Sequence, residues 1–194
     1  MPNGRAFTLN KISQNRLSYK PGLGEFSMSS DMAAPAFTIR NRMQHIISQI
    51  SPDVRDHFYR LASTIGASII WPANRIDSKM TINGARGLNC RISDRLNLTI
   101  ECIRRYYRSQ HRLLYDTFKR YDRFFRLFQN FKGSIDFFLL QDIVTDDYSN
   151  TKIAIDFDGF KTLPAPGSPD EYMKYMENTI KFITARNERI SALF

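Results

Sequence analysis

Cysteine is scarce in this sequence: Cys90 and Cys102 are the only two in 194 residues. Two thiols admit at most one bridge, which excludes the disulfide framework of a small secreted domain. Read as reduced thiols, they place the chain in the cytoplasm. Long apolar runs are missing too, and nothing approaches the ~20 apolar residues of a spanning helix. Met1-Pro-Asn-Gly-Arg5 is not followed by the apolar core of a secretory signal. No membrane partner is expected. Histidine is limited to His45, His57 and His111, too scattered for a zinc site or a catalytic triad visible in sequence. Neither GxxxxGK[ST] nor GxGxxG occurs, so the common phosphate-binding fingerprints are absent. No metal and no cofactor is expected.

Carboxylates are few in the first two thirds of the chain. Residues 1–133 hold 22 Lys/Arg against 9 Asp/Glu, a balance of +13, while residues 134–194 hold 6 against 10, a balance of −4. Seventeen of those 22 cations are arginine. Arginine favours planar, bidentate contact with phosphate or carboxylate, so this bias points to recognition of an anionic partner. Complementarity between a basic body and an acidic tail inside one fold is the alternative.

The length suits one domain with a real core, and 15 Phe point to an aromatic interior. Ala6–Leu9, Glu25–Met28, Ala67–Trp71 and Lys152–Asp156 read as strands. Apolar spacing predicts helices over residues 39–50, from Ser51-Pro52 onward, over about 94–108 with Asp94 as cap, and from about Arg112. Ser168-Pro-Asp-Glu171 is a capping box opening a last helix to about residue 190. Gly133 breaks the pattern before an apolar stretch, 135–140, that is ambiguous between strand and helix. The expectation is a single α+β domain over 1–194, a small antiparallel or mixed sheet packed by about five helices. The chain opens almost directly in a strand, so an N-terminal extension is expected upstream.

The most distinctive stretch is Thr81-Ile-Asn-Gly-Ala-Arg-Gly-Leu-Asn-Cys-Arg-Ile-Ser-Asp-Arg95. Its glycines permit tight turns and its arginines bring fixed charge into the same segment. Arg75, Lys79, Asn83, Arg86, Arg91 and Arg95 are the candidate ligand-binding residues, with Gly84 and Gly87 letting main-chain N–H groups approach an anion. In the competing reading, Asp77, Asp94 and Glu101 neutralise these arginines in a structural network.

Several blocks resemble an uncharacterised bacterial family, one carried as a domain of unknown function. They include Glu25–Asp31, Thr64-Ile-Gly66, Ile76-Asp-Ser-Lys79, Thr81–Gly87, Asp94–Tyr107, Asp136–Asp142, Glu171-Tyr172 and Arg186-Asn-Glu-Arg-Ile190. The resemblance covers most of the chain. It implies a bacterial or phage origin and carries no activity or catalytic residue with it.

Arg104-Arg105-Tyr106-Tyr107-Arg108, with Arg112, interleaves cations and aromatics, as nucleic-acid surfaces do. Helical spacing instead puts Tyr107 in a buried stripe and the arginines on a solvated face. Asp156-Phe-Asp158-Gly159 is similar to the first motif of haloacid-dehalogenase-type phosphatases, but that fold needs a large sheet after the motif and only 35 residues remain. That reading is rejected. Asp142, Asp146 and Asp147 lack EF-hand spacing and read as a solvated acidic turn. Cys90 lies near Arg86 and Arg91 but has no assignable base.

Three functions follow. The first is an anion-binding domain for nucleic acid or a nucleotide, using segment 75–95. The second is an enzyme of nuclease or nucleotide-transfer type in bacterial or phage defence, which needs Ser29, Ser30, Asp31, Arg86, Arg95, Glu101 and Asp142 to converge. The third is an interaction protein whose arginines grip an acidic protein partner.

Overall fold

The computed structural model describes residues 8–9, 17–19, 26–32, 43–92, 95–111, 113–152 and 166–194, the first three stretches by their backbone pairing alone. Thr8–Leu9 (β1), Leu17–Tyr19 (β2) and Phe26–Met32 (β3) run antiparallel in that order, and β3 pairs with Ser68–Pro72 (β4), Ser30 opposite Ile70. The helices are Gln44–Ile47 (α1), Pro52–Ala62 (α2), Ile82–Leu88 (α3), Leu96–Tyr107 (α4), Tyr115–Arg120 (α5), Asp122–Arg126 (α6), Phe131–Phe138 (α7) and Pro169–Ser191 (α8). Short 3-10 turns lie at Ile65–Ala67 and Gln141–Ile143.

This overturns the expected α+β domain with a small antiparallel or mixed sheet packed by about five helices. Of the residues described with their side chains, 60% are helical and 5% lie in strand, and β4 is the single strand among them. The core is built helix on helix. β4 enters it with Ile69 and Trp71 buried and Ile70 exposed, the alternation of a strand packed on one face. Around β4 gather Ile82 of α3, Leu98 and Ile100 of α4, Phe118 of α5, Phe125 of α6 and Ile135 of α7. A second cluster joins Met43, Ile46 and Phe58 to Tyr172, Tyr175 and Met176 of α8. Helix α8 also sends Phe182 and Ile183 into the first cluster, so one long helix ties both together.

Local chemistry sets the helix starts. Thr81 Oγ1 accepts from Gly84 N–H at 3.2 Å, Asn130 Oδ1 from Gly133 N–H at 2.8 Å, and Ser168 Oγ from Glu171 N–H at 3.2 Å. At α8 the Glu171 carboxylate reaches back to Gly167 N–H at 2.6 Å, a variant of the capping box. Ser51 precedes α2, where Pro52 at the first position starts the helix with no hydroxyl cap. Gly133 lies inside α7 and does not break it. A Cβ there would stand 2.0 Å from the Phe128 carbonyl oxygen, so close backbone approach explains the glycine. Asp94 and Arg112, all but Lys152 of the strand expected over Lys152–Asp156, and the Asp156–Gly159 motif lie outside the described residues.

Two distant blocks of the resemblance meet in one clasp. Arg186 Nη1 donates to the carbonyls of Gly66 at 2.8 Å and Ser68 at 2.6 Å, and its Nε donates to the Phe138 carbonyl at 2.8 Å. Asn187 receives Gly66 N–H at 2.8 Å and donates to Thr64 Oγ1 at 2.9 Å. Burial, and then the neighbouring Arg189, bring the Arg186 guanidinium down to about 10. Thr64-Ile-Gly66 and Arg186-Asn187 thus fasten α8 to the entry of β4.

Candidate anion-binding surface

The glycine- and arginine-rich segment folds into a turn, then α3, then a short connection to α4. Gly84 and Gly87 both lie inside α3, and Gly84 N–H is taken by the Thr81 cap, so this amide is turned to the chain itself. The six candidate residues divide by depth. Arg86 is fully buried and Arg95 is 3% exposed, Asn83 is half-buried, and Arg75, Lys79 and Arg91 are exposed. Arg86 Nε donates to Thr99 Oγ1 at 2.9 Å and its Nη1 to Asn83 Oδ1 at 3.4 Å. Thr99 passes the chain on, donating to the Arg95 carbonyl at 3.1 Å. Arg95 lays its guanidinium over the Tyr175 ring, 5.3 Å from its centroid. Burial lowers its pKa, and the Tyr175 charge pulls the other way. Arg86, Asn83 and Arg95 therefore hold α3, α4 and α8 together.

The exposed members belong to a different surface. Ile76-Asp-Ser-Lys79 is a tight turn closed by Lys79 N–H on the Ile76 carbonyl at 3.0 Å, with positive φ at Asp77 and Ser78. Tyr121 O–H donates to the Asn74 carbonyl at 2.8 Å and Arg120 Nη2 to the Met80 carbonyl at 3.2 Å. These two bonds pin the turn against α5. No carboxylate of the described residues pairs with Arg75, Lys79, Arg91 or Arg120.

The second basic surface is at the C-terminal end of α4. Glu101 Oε1 accepts from Arg104 Nη2 at 2.8 Å and Arg105 Nε at 2.7 Å. Its Oε2 accepts from Arg104 Nε at 2.7 Å and Thr151 Oγ1 at 2.7 Å. Burial pushes the Glu101 pKa up, but the hydrogen bonds from Arg104, Thr151 and Arg105 outweigh it and hold the carboxyl below its ordinary value. Arg104 Nη1 and Arg108 Nη2 both donate to the Ser149 carbonyl, at 3.0 and 3.1 Å. Arg104, Arg105, Gln110 and His111 line a cleft of about 430 Å³ beside this network. The His111 ring packs against Tyr115, 3.9 Å between centroids and tilted by 33°. Tyr106 and Tyr107 turn inward: Tyr106 O–H donates to Asp122 and Tyr107 O–H to the Phe125 carbonyl.

The enzyme candidates fall into separate networks. Glu101 is held by Arg104 and Arg105, Asp142 is ion-paired with Arg189, and Arg86 is bound to Thr99 and Asn83. The side chains of Ser29, Ser30 and Asp31 lie outside the described residues. Asp147 caps its own turn, accepting from Thr145 Oγ1 at 2.6 Å and Ser149 N–H at 2.9 Å; these bonds, Thr145's first, hold it at about 2. Among the described residues no group of three or more His, Cys, Asp and Glu is placed to hold a metal ion. Cys90 is exposed and Cys102 buried, and burial pushes the Cys102 thiol up to about 12. No helix of the described residues is long and apolar enough to cross a membrane.

The sequence readings missed the cleft at Gln110 and His111 and the role of Thr151. The Arg104–Arg108 run was the one available signal, because the contact of Thr151 with Glu101 spans 50 residues.

The chain belongs to a family of unknown function (DUF6994), whose profile matches residues 1–190. Neither a curated protein nor a solved structure matches it.

Proposed function

We propose that this chain binds the phosphate backbone of nucleic acid across the basic end of α4, with the 74–80 turn as a second contact. The observation that carries the reading is Arg108, which stands beyond the network of Glu101, Arg104 and Arg105 with no carboxylate of the described residues paired to it. A residual positive field therefore surrounds a cleft, the arrangement that concentrates anions. Arg108 supplies a guanidinium for phosphate, and the exposed His111 ring, braced against Tyr115, supplies an aromatic face for a base. Arg75, Lys79, Arg91 and Arg120 add further positive charge on the turn and α3 side. Arg86, Asn83 and Arg95 act as framework and do not meet the ligand.

The test is fluorescence anisotropy with single-stranded RNA, single-stranded DNA and a duplex, at about 50 and 200 mM salt. Binding through roughly four phosphate contacts gives a log–log salt slope near −3 on a single strand. Absence of binding to all three at low salt ends the reading. Stoichiometric capture of an acidic protein in its place favours the grip on a protein partner.

A further inference from the structure

A second cavity, away from the end of α4, lies between the first turn of α4 and the middle of α8. It measures about 430 Å³, within the range of small-ligand sites. Its wall combines three kinds of group. Tyr175 and Phe182, both almost fully buried, give it an aromatic side. Asn97, Asn178 and Thr179 give amide and hydroxyl groups. Lys152 and Lys181, both exposed, stand at its edge.

Two observations point to an occupant. The first is Asn97 Nδ2, which is shielded from solvent and donates to nothing. A buried donor with no acceptor is costly, and a ligand acceptor would relieve that cost. The second is the charge at the wall. Asp142, the one carboxylate among its described lining residues, is already paired with Arg189. Lys152 has only a loose 4.0 Å approach to the fully exposed Asp146, and Lys181 has no carboxylate partner among the described residues. The cavity thus offers a net positive edge, a buried amide donor and an aromatic wall.

We infer that this cavity binds a small organic anion: a phosphate or carboxylate held at Lys152 and Lys181, a flat body against Tyr175 and Phe182, and an acceptor atom on Asn97 Nδ2. A nucleotide phosphate and an aromatic carboxylate share this chemistry, and the experiment separates them.

The test is titration of the full ¹⁵N-labelled chain with adenosine monophosphate, benzoate, inorganic phosphate and neutral benzamide, following side-chain amide signals. The expected result is a saturable shift of the Asn97 and Asn178 amides with adenosine monophosphate or benzoate. Inorganic phosphate and benzamide bind at least tenfold more weakly. Lys181→Glu, at an exposed position, raises the apparent Kd at least tenfold without moving the thermal midpoint. A phosphate-bearing ligand is indicated when the nucleotide outcompetes benzoate, and a carboxylate ligand by the reverse. The inference is overturned if no anion shifts those amides, if benzamide does so equally, or if Lys181→Glu leaves the affinity unchanged. Arg108→Ala, which tests nucleic-acid binding, leaves this titration as it is, so the two readings fail separately.

Discussion

Glu101 and Arg104 face each other one helical turn apart in a bidentate pair, Nε to Oε2 at 2.7 Å and Nη2 to Oε1 at 2.8 Å. Both side chains are largely buried, and the same carboxylate also takes Arg105 and Thr151. The pair fixes the end of α4 and joins it to the segment around Ser149 through the Arg104 contact. Glu101→Gln keeps the shape, removes the charge and takes the carboxylate away from the buried Arg104 guanidinium. It is expected to cost about 3 kcal/mol in urea unfolding, the lower end for a broken buried pair. At a temperature where the variant stays folded, its nucleic-acid affinity is unchanged or tighter, since the local charge has become more positive.

The acid limb of stability depends on the same carboxylate. Its folded pKa is depressed below the ordinary 4.5, so its contribution is complete above that value and is lost as pH falls through the lower folded value. Urea midpoints measured from pH 6 to pH 2 are expected to fall more steeply below about 4.5 in the native chain than in Glu101→Gln. Equal slopes would show that Glu101 carries no linked proton.

Gly66 admits no larger side chain. A Cβ there would lie 2.6 Å from the Ile183 carbonyl oxygen and 2.5 Å from Asn187 Oδ1. Gly66→Ala is expected to lower stability by about 2–3 kcal/mol through backbone displacement. Arg186→Met, which removes the donors to Gly66, Ser68 and Phe138, is expected to cost about 3 kcal/mol. The sites share one network, so the double variant loses less than the sum of the two. Full additivity would deny the clasp.

Arg86 and Arg75 test the division of the arginine-rich segment. Arg86→Met removes a fully buried guanidinium and its hydrogen bonds to Thr99 and Asn83, and a loss of about 2–4 kcal/mol in thermal or urea unfolding is expected. Arg75→Ala, on the surface, changes stability by less than about 0.5 kcal/mol. The opposite order would place the ligand-facing role on the wrong residues.

Much of the helical framework was legible in the sequence, and the architecture was not. Ser168 to Glu171 announced α8, and the apolar spacing from Leu96 to Tyr107 announced α4, because both signals are local. Helix α3 was hidden because Asn83, Gly84 and Gly87 signal a loop. Glycine's cost in a helix, about 1 kcal/mol each, is offset there by the Thr81 cap and by burial of Ile82 and Arg86. The stretch from Tyr115 to Arg126 read as one helix, although Tyr121 divides α5 from α6 without any glycine or proline to mark it. The short strands suggested a sheet as scaffold; the contacts that make helices the scaffold are long-range, such as Arg186 to Gly66. The site divided in the same way. Clustered arginines were visible, but their depth was not, because Arg86 and Arg75 look alike until Thr99 and Asn83 are seen to close around one of them.

The most direct test is the salt dependence of single-stranded RNA binding by the native chain, by Arg108→Ala and by Arg75→Ala/Lys79→Ala. The account predicts a slope near −3 for the native chain, less steep by about 0.7 in Arg108→Ala and by about 1.4 in the double variant, with thermal midpoints unchanged. Binding that is undetectable at low salt, or a slope that none of these substitutions alters, contradicts it.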